Sequence, residues 1–123
     1  WQLSNAPVLG MAVHKASLDI FADVGMSNLV SKSKKLVSAL ERVLNNFNQQ
    51  SNNIKFKIIT PKKRGCQLSV LVNKSGKNVY KILNKNGVVV DWREPNVIRF
   101  APVPLYNSFD DIFNFSQVLK KCL

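Results

Sequence analysis

"NVIRFAPVPLYNSFDD", residues 96–111, decides how this chain folds, because strand, stop and helix follow one another inside it. Val97, Ile98, Phe100 and Ala101 read as a strand, and Arg99 is the only charge among them. Side chains alternate across a strand, so Ile98 and Phe100 point one way while Val97, Arg99 and Ala101 point the other. Pro102 and Pro104 lack a backbone donor and force the chain off the sheet. Asn107 or Ser108 is then placed to cap a final helix. Asp110 and Asp111 lie in its positive first turn, and Lys120 and Lys121 near its negative end. Phe109, Ile112, Phe113, Ser116 and Leu119 are expected to form its inner stripe.

Upstream, the same periodicities name the remaining elements. Pro7 suits the first turn of a helix. Val8, Met11, Ala12, Leu18, Phe21 and Ala22 recur at helical spacing until Gly25 stops the pattern. Ser27 is placed to cap a second helix, whose face runs through Leu29, Val30, Leu36, Val37, Leu40, Val43, Leu44 and Phe47. "NNFNQQSNN" then reads as a polar turn. "IKFKIIT" alternates apolar residues with Lys55 and Lys57, the mark of a sheet with one wet face. "CQLSVLV" is a second strand, Ser75 opens a short helix that Gly87 ends, and "VVVDW" is a third strand. The order α, α, β, β, α, β, β, α predicts an α+β fold. Its antiparallel-rich sheet of about four strands carries helices packed on one face.

The chain has 123 residues and 46% hydrophobic residues, enough for one domain with a real core. No apolar run approaches the ~20 residues that span a bilayer, and no signal peptide is read, so no membrane partner is expected. Cys66 and Cys122 are far apart and belong to no paired motif. They read as free thiols of a reducing, cytoplasmic setting, with one disulfide as the lesser alternative. Only His14 is present to join them, too few ligands for structural zinc, and no metal is expected. Eighteen Lys and Arg against seven Asp and Glu give a net charge of +11. A polyanion partner is one reading of that excess. The lysines are spread rather than focused, and only Phe56 and Tyr80 lie near them among the aromatics, so no nucleic-acid partner is expected.

Arg99 needs an anion, because its guanidinium stays charged in any surroundings. Asp91 and Glu94 lie just upstream and could supply one, with Arg93 competing for them. The alternative is a ligand carboxylate, which fits the planar fork with two parallel hydrogen bonds. Prolines that stiffen the strand's exit give Arg99 a fixed aim, as a binding site requires.

The "R-x-A-P" and "YNS" pattern with its acidic pair resembles the C-terminal, small domain of fold-type I pyridoxal-phosphate enzymes of the cysteine-desulfurase-like branch. Three stretches sharpen the resemblance to the kynureninase family: "WQLSNAPVLGMAVHKASLDIF", "RGCQLS", and "GVVVDWREPNVIRFAPVPLYNSF". The resemblance implies hydrolysis of kynurenine or 3-hydroxykynurenine to anthranilate or 3-hydroxyanthranilate plus alanine, in tryptophan degradation toward NAD biosynthesis. It implies pyridoxal 5'-phosphate as cofactor and a homodimer as the assembly. Arg99 would bind the substrate α-carboxylate. Asn5 would lie at the cofactor and substrate pocket with Ser4 on the same wall, although Asn5 also has the chemistry of a helix cap. Residues 1–6 would lead in from a large domain and 7–123 would form the small one. The Schiff-base lysine and phosphate cradle would belong to that large domain; Lys15, on a helix and outside the family's lysine motif, is not expected to serve. The chain alone is expected to be inactive, with no catalytic residue of its own. A small-carboxylate-binding regulatory domain and a basic nucleic-acid module stay as the competing classes.

Overall fold

The structure is a computed structural model and describes residues 3–123; Trp1 and Gln2, part of the expected lead-in at residues 1–6, lie outside the described residues. Its elements run α1 (Val8–Val24), α2 (Met26–Gln50), β1 (Phe56–Ile58), β2 (Leu68–Val72), α3 (Gly76–Lys85), β3 (Asp91–Arg93), β4 (Val97–Phe100) and α4 (Phe109–Lys120). The strands form one antiparallel sheet in the order β1-β2-β4-β3. This is the predicted α+β layer.

Alternation fixes which sheet face is covered. Phe56, Leu68, Val70, Val72, Ile98 and Phe100 are buried beneath the helices, while the residues between them face away. Leu36, Leu40 and Leu44 of α2, Val79 and Leu83 of α3, and Ile112, Phe115 and Leu119 of α4 complete the core. Aromatic edges lock the layers together, with the Phe47 and Phe56 rings 5.2 Å apart and those of Phe100 and Phe115 5.3 Å apart.

Several boundaries differ from the sequence reading. The helical face of α2 continues through Phe47 to Gln50, so "NNFNQQ" is helix rather than turn. Gly25, at φ +80°, alone separates α1 from α2 and takes the cap position assigned to Ser27. Val88–Val90 precede the third strand rather than form it. On α4, Phe115 is buried and Phe113 is 61% exposed, reversing their expected places; Phe109 also faces outward. The ring of Phe100, packed edge-on against Phe115, selects Phe115 for the inner face.

One element stands apart. No residue of α1 is buried, although Val8, Leu9, Met11, Val13, Leu18 and Ile20 are all apolar. A helix apolar on several sides is ordinarily enclosed. Among the described residues no helix is long and apolar enough to cross a membrane.

Candidate functional site

Arg99 projects from the open face of the sheet, as the alternation requires. The register sets Ser69 of β2, Arg99 of β4 and Asp91 of β3 in one row across three strands. Leu71, Val97 and Arg93 form the row beside it, continuing to Lys57 on β1. Arg93 follows Asp91 by two residues and so shares its face.

The internal partner of Arg99 is Asp91. Arg99 Nε donates to Asp91 Oδ2, and Arg99 Nη2 pairs with the same oxygen. Arg93 Nε donates to that oxygen too, at 2.9 Å. Partial desolvation pushes the Asp91 carboxyl upward, but hydrogen bonds and charge from Arg99 and Arg93 outweigh it and hold the group below its ordinary value. Glu94, the other candidate, instead meets Lys77 Nζ at 3.0 Å. Among the described residues the buried Trp92 Nε1 has no partner within hydrogen-bond distance, but the nearby polar indole N–H, followed by the Lys77 ammonium, holds the Glu94 carboxyl below its ordinary value.

This pairing does not enclose the guanidinium. The Arg99 side chain remains 32% exposed, and among the described residues nothing pairs with its Nη1. An arginine presents two bidentate edges, and Asp91 occupies the one that includes Nε. The other edge, which includes Nη1, is left without a full complement of partners among the described residues.

The exit from β4 is braced more firmly than prolines alone would provide. Val103 N donates to Asn107 Oδ1, and Asn107 N donates back to Val103 O, each at 2.8 Å. Lys32 Nζ of α2 donates to Pro104 O at 2.7 Å, and Pro102 is buried. Ser108 then caps α4 in a reciprocal box with Asp111. Asn107 was legible only as a cap candidate; its fold back onto Val103 is a tertiary turn with no periodic signature.

The structure does not join the other expected site residues to Arg99. Ser4 and Asn5 are exposed, and their side chains make no hydrogen bond among the described residues. Asn5 is not a helix cap, since α1 begins after Pro7 without a side-chain cap. Lys15 pairs with Asp19 at 2.6 Å on the exposed surface. Among the described residues no lysine is buried. An apolar recess of about 490 Å³ lies between α2 and residues 103–105, with the Arg64–Glu41 ion pair at its rim; Arg99 does not line it. Cys66, on that recess, and Cys122 are free thiols, and burial pushes the Cys122 thiol up.

The family profile described as "Kynureninase C-terminal domain" matches residues 29–119. The chain belongs to this kynureninase family. A kynureninase of Flavobacterium psychrophilum is 48% identical over 98% of the chain, and one of Christiangramia forsetii is equally similar. A kynureninase of Xanthomonas oryzae pv. oryzae is 45% identical over 94% of it. The chain spans only 29% of the length of the first two relatives. Among solved structures, a NifS-like protein superposes over 97% of this chain and 34% of its own, with TM-score 0.76 at 21% identity. Acetylornithine aminotransferase from Elizabethkingia anophelis covers 89% of this chain and 27% of its own, with TM-score 0.68 at 22% identity. These two likenesses concern the fold.

Proposed function

We propose that this chain is the substrate-clamping small domain of a kynureninase, acting on kynurenine or 3-hydroxykynurenine by hydrolysis to anthranilate or 3-hydroxyanthranilate and alanine. The observation that carries the reading is the place of Arg99. It stands on the open sheet face of a kynureninase-family domain, gripped along one edge, with Nη1 unpaired among the described residues and the side chain still 32% exposed. A substrate α-carboxylate would fit the edge that includes Nη1 with two charge-assisted hydrogen bonds. Holding that carboxylate orients the amino acid's side-chain carbonyl toward the reaction centre.

Pyridoxal phosphate, where bound, supplies the electron sink for such chemistry. The described residues do not by themselves fit it. Ser4 and Asn5 stand exposed, and no lysine among the described residues is buried. The cofactor would therefore be held mainly by the part of a kynureninase that this chain does not span, with Asn5 and Ser4 proposed to join the pocket from this side. The chain alone is proposed to be inactive, and the assembled enzyme to be a cytoplasmic homodimer.

The test replaces the matching segment of the Flavobacterium psychrophilum kynureninase with this chain and measures kynurenine hydrolysis. Arg99→Lys in that chimera should raise KM about 10- to 100-fold, as one or two charged hydrogen bonds are lost. Cofactor absorbance should be unchanged. An unaltered KM would reject the clamp.

A further inference from the structure

The clamp arginine is not alone on its face. Asp91 lies directly opposite Arg99 in the antiparallel register, and its Oδ2 accepts from Arg99 Nε, Arg99 Nη2 and Arg93 Nε. All three groups face away from the core, on strands β3 and β4. Two guanidiniums and one carboxylate leave the trio with one net positive charge. A lone Arg99–Asp91 pair would be neutral and would attract an arriving anion far less.

We propose that Asp91 and Arg93 are positioning residues for the carboxylate clamp: Asp91 holds the Nε-bearing edge of Arg99 so that the Nη1-bearing edge meets the substrate, and Arg93 keeps the trio cationic. This rests on the reading of Arg99 as the substrate's anchor. Asp91 is thus a permanent fixture of the loaded site. It is not a placeholder that the substrate carboxylate displaces, and the two arrangements differ in the sign of their effects. Removing a placeholder lowers KM; removing a positioning group raises it.

The experiment uses the full-length chimera, with kynurenine as substrate and anthranilate, which lacks an α-carboxylate, as inhibitor. Asp91→Ala should raise KM about tenfold, the loss of one charge-assisted hydrogen bond, with kcat changed less than about threefold. The inhibition constant for anthranilate should stay within twofold, roughly the scatter expected of a distant substitution. Asp91→Asn keeps an acceptor of the same shape and should recover most of the lost affinity. Arg93→Ala should raise KM several-fold at low ionic strength and less in high salt. In an Arg99→Lys background, Asp91→Ala should add little, because its effect passes through Arg99.

A fall in KM on Asp91→Ala would overturn the proposal in favour of displacement. An equal rise in the Arg99→Lys background, or a weakened hold on anthranilate, would overturn it in favour of a structural role. If Arg99→Lys leaves KM unchanged, the clamp reading itself has failed. If Arg99→Lys raises KM while Asp91→Ala and Asp91→Asn do nothing, only the positioning role has failed.

Discussion

At the scale of single residues, Asp91 and Gly76 each make a measurable commitment. Asp91 is held below its ordinary pKa by two guanidiniums, working against desolvation. Its ion pairs therefore stabilise the fold above the unfolded pKa and are lost as pH falls through the lower folded value. A carbon-13 titration of the Asp91 carboxyl should give a midpoint below that of an unstructured aspartate, and Arg99→Ala should move it upward. Gly76 opens α3 against the indole of Trp92. A Cβ there would lie 3.1 and 3.2 Å from Trp92 ring atoms and 3.2 Å from Val72 Cβ. Trp92 is wedged beside Tyr80, their rings 6.0 Å apart, and Val72 is buried, so neither yields easily. Overpacking of about 1–3 kcal/mol outweighs the roughly 1 kcal/mol gained in helix propensity. Gly76→Ala should lower the urea midpoint without changing the slope. None of this was legible in the sequence. "SGKN" marks a helix start, but nothing in it reveals that a tryptophan sixteen positions on, Trp92, closes over the glycine.

Elements were more legible than their edges. Periodicity located all four helices and the strands, because α2, α3, α4 and the central strands each bury one face and the pattern of burial is the pattern of apolar residues. It failed where two faces carry similar side chains. On α4, Phe109, Phe113 and Phe115 offer alternative stripes with Ile112, and only the position of Phe100 on β4 decides among them. The decision has a large energetic signature. Phe115→Ala should destabilise the fold by about 3–5 kcal/mol through loss of buried area and the cavity left behind. Phe113→Ala, at a side chain 61% exposed, should change stability by less than about 0.5 kcal/mol. Equilibrium urea unfolding of both variants checks the contrast, and a reversed order would mean the helix is rotated about its axis. The start of α4 was readable to within one residue, as Asn107 or Ser108, and the structure selects Ser108 in a reciprocal box with Asp111. Ser108→Ala should cost about 1 kcal/mol. The site divides the same way: the outward aim of Arg99 followed from alternation, whereas the choice of Asp91 over Glu94 needed the β3–β4 register.

For the molecule as a whole, α1 is the element whose composition and surroundings disagree. Seventeen residues form a helix with apolar side chains on several sides and none of them buried. Among the described residues its main packing partner is α2, after the Gly25 break. Sequence periodicity identified the helix but not its isolation, because apolar spacing states that a face is to be covered and not by what. The chain spans 29% of kynureninases to which it is 48% identical, so the cover proposed is the remainder of such an enzyme. Exposed as it stands, α1 presents the kind of contiguous apolar surface that drives association. The 123-residue chain in isolation should bind an apolar dye and show a mass that rises with concentration in light scattering. Leu18→Glu and Ile20→Glu together should suppress both effects without lowering the urea midpoint, since neither side chain contributes to the core. In the full-length chimera the same pair should have the opposite consequence. There the two carboxylates would enter a closed interface, where an unpaired buried charge costs several kcal/mol, and soluble assembled enzyme should be lost. Amide exchange gives an independent check: α1 should exchange quickly in the chain and become protected in the chimera. Equal protection in both settings would mean that α1 is already satisfied within these 123 residues and needs no larger partner.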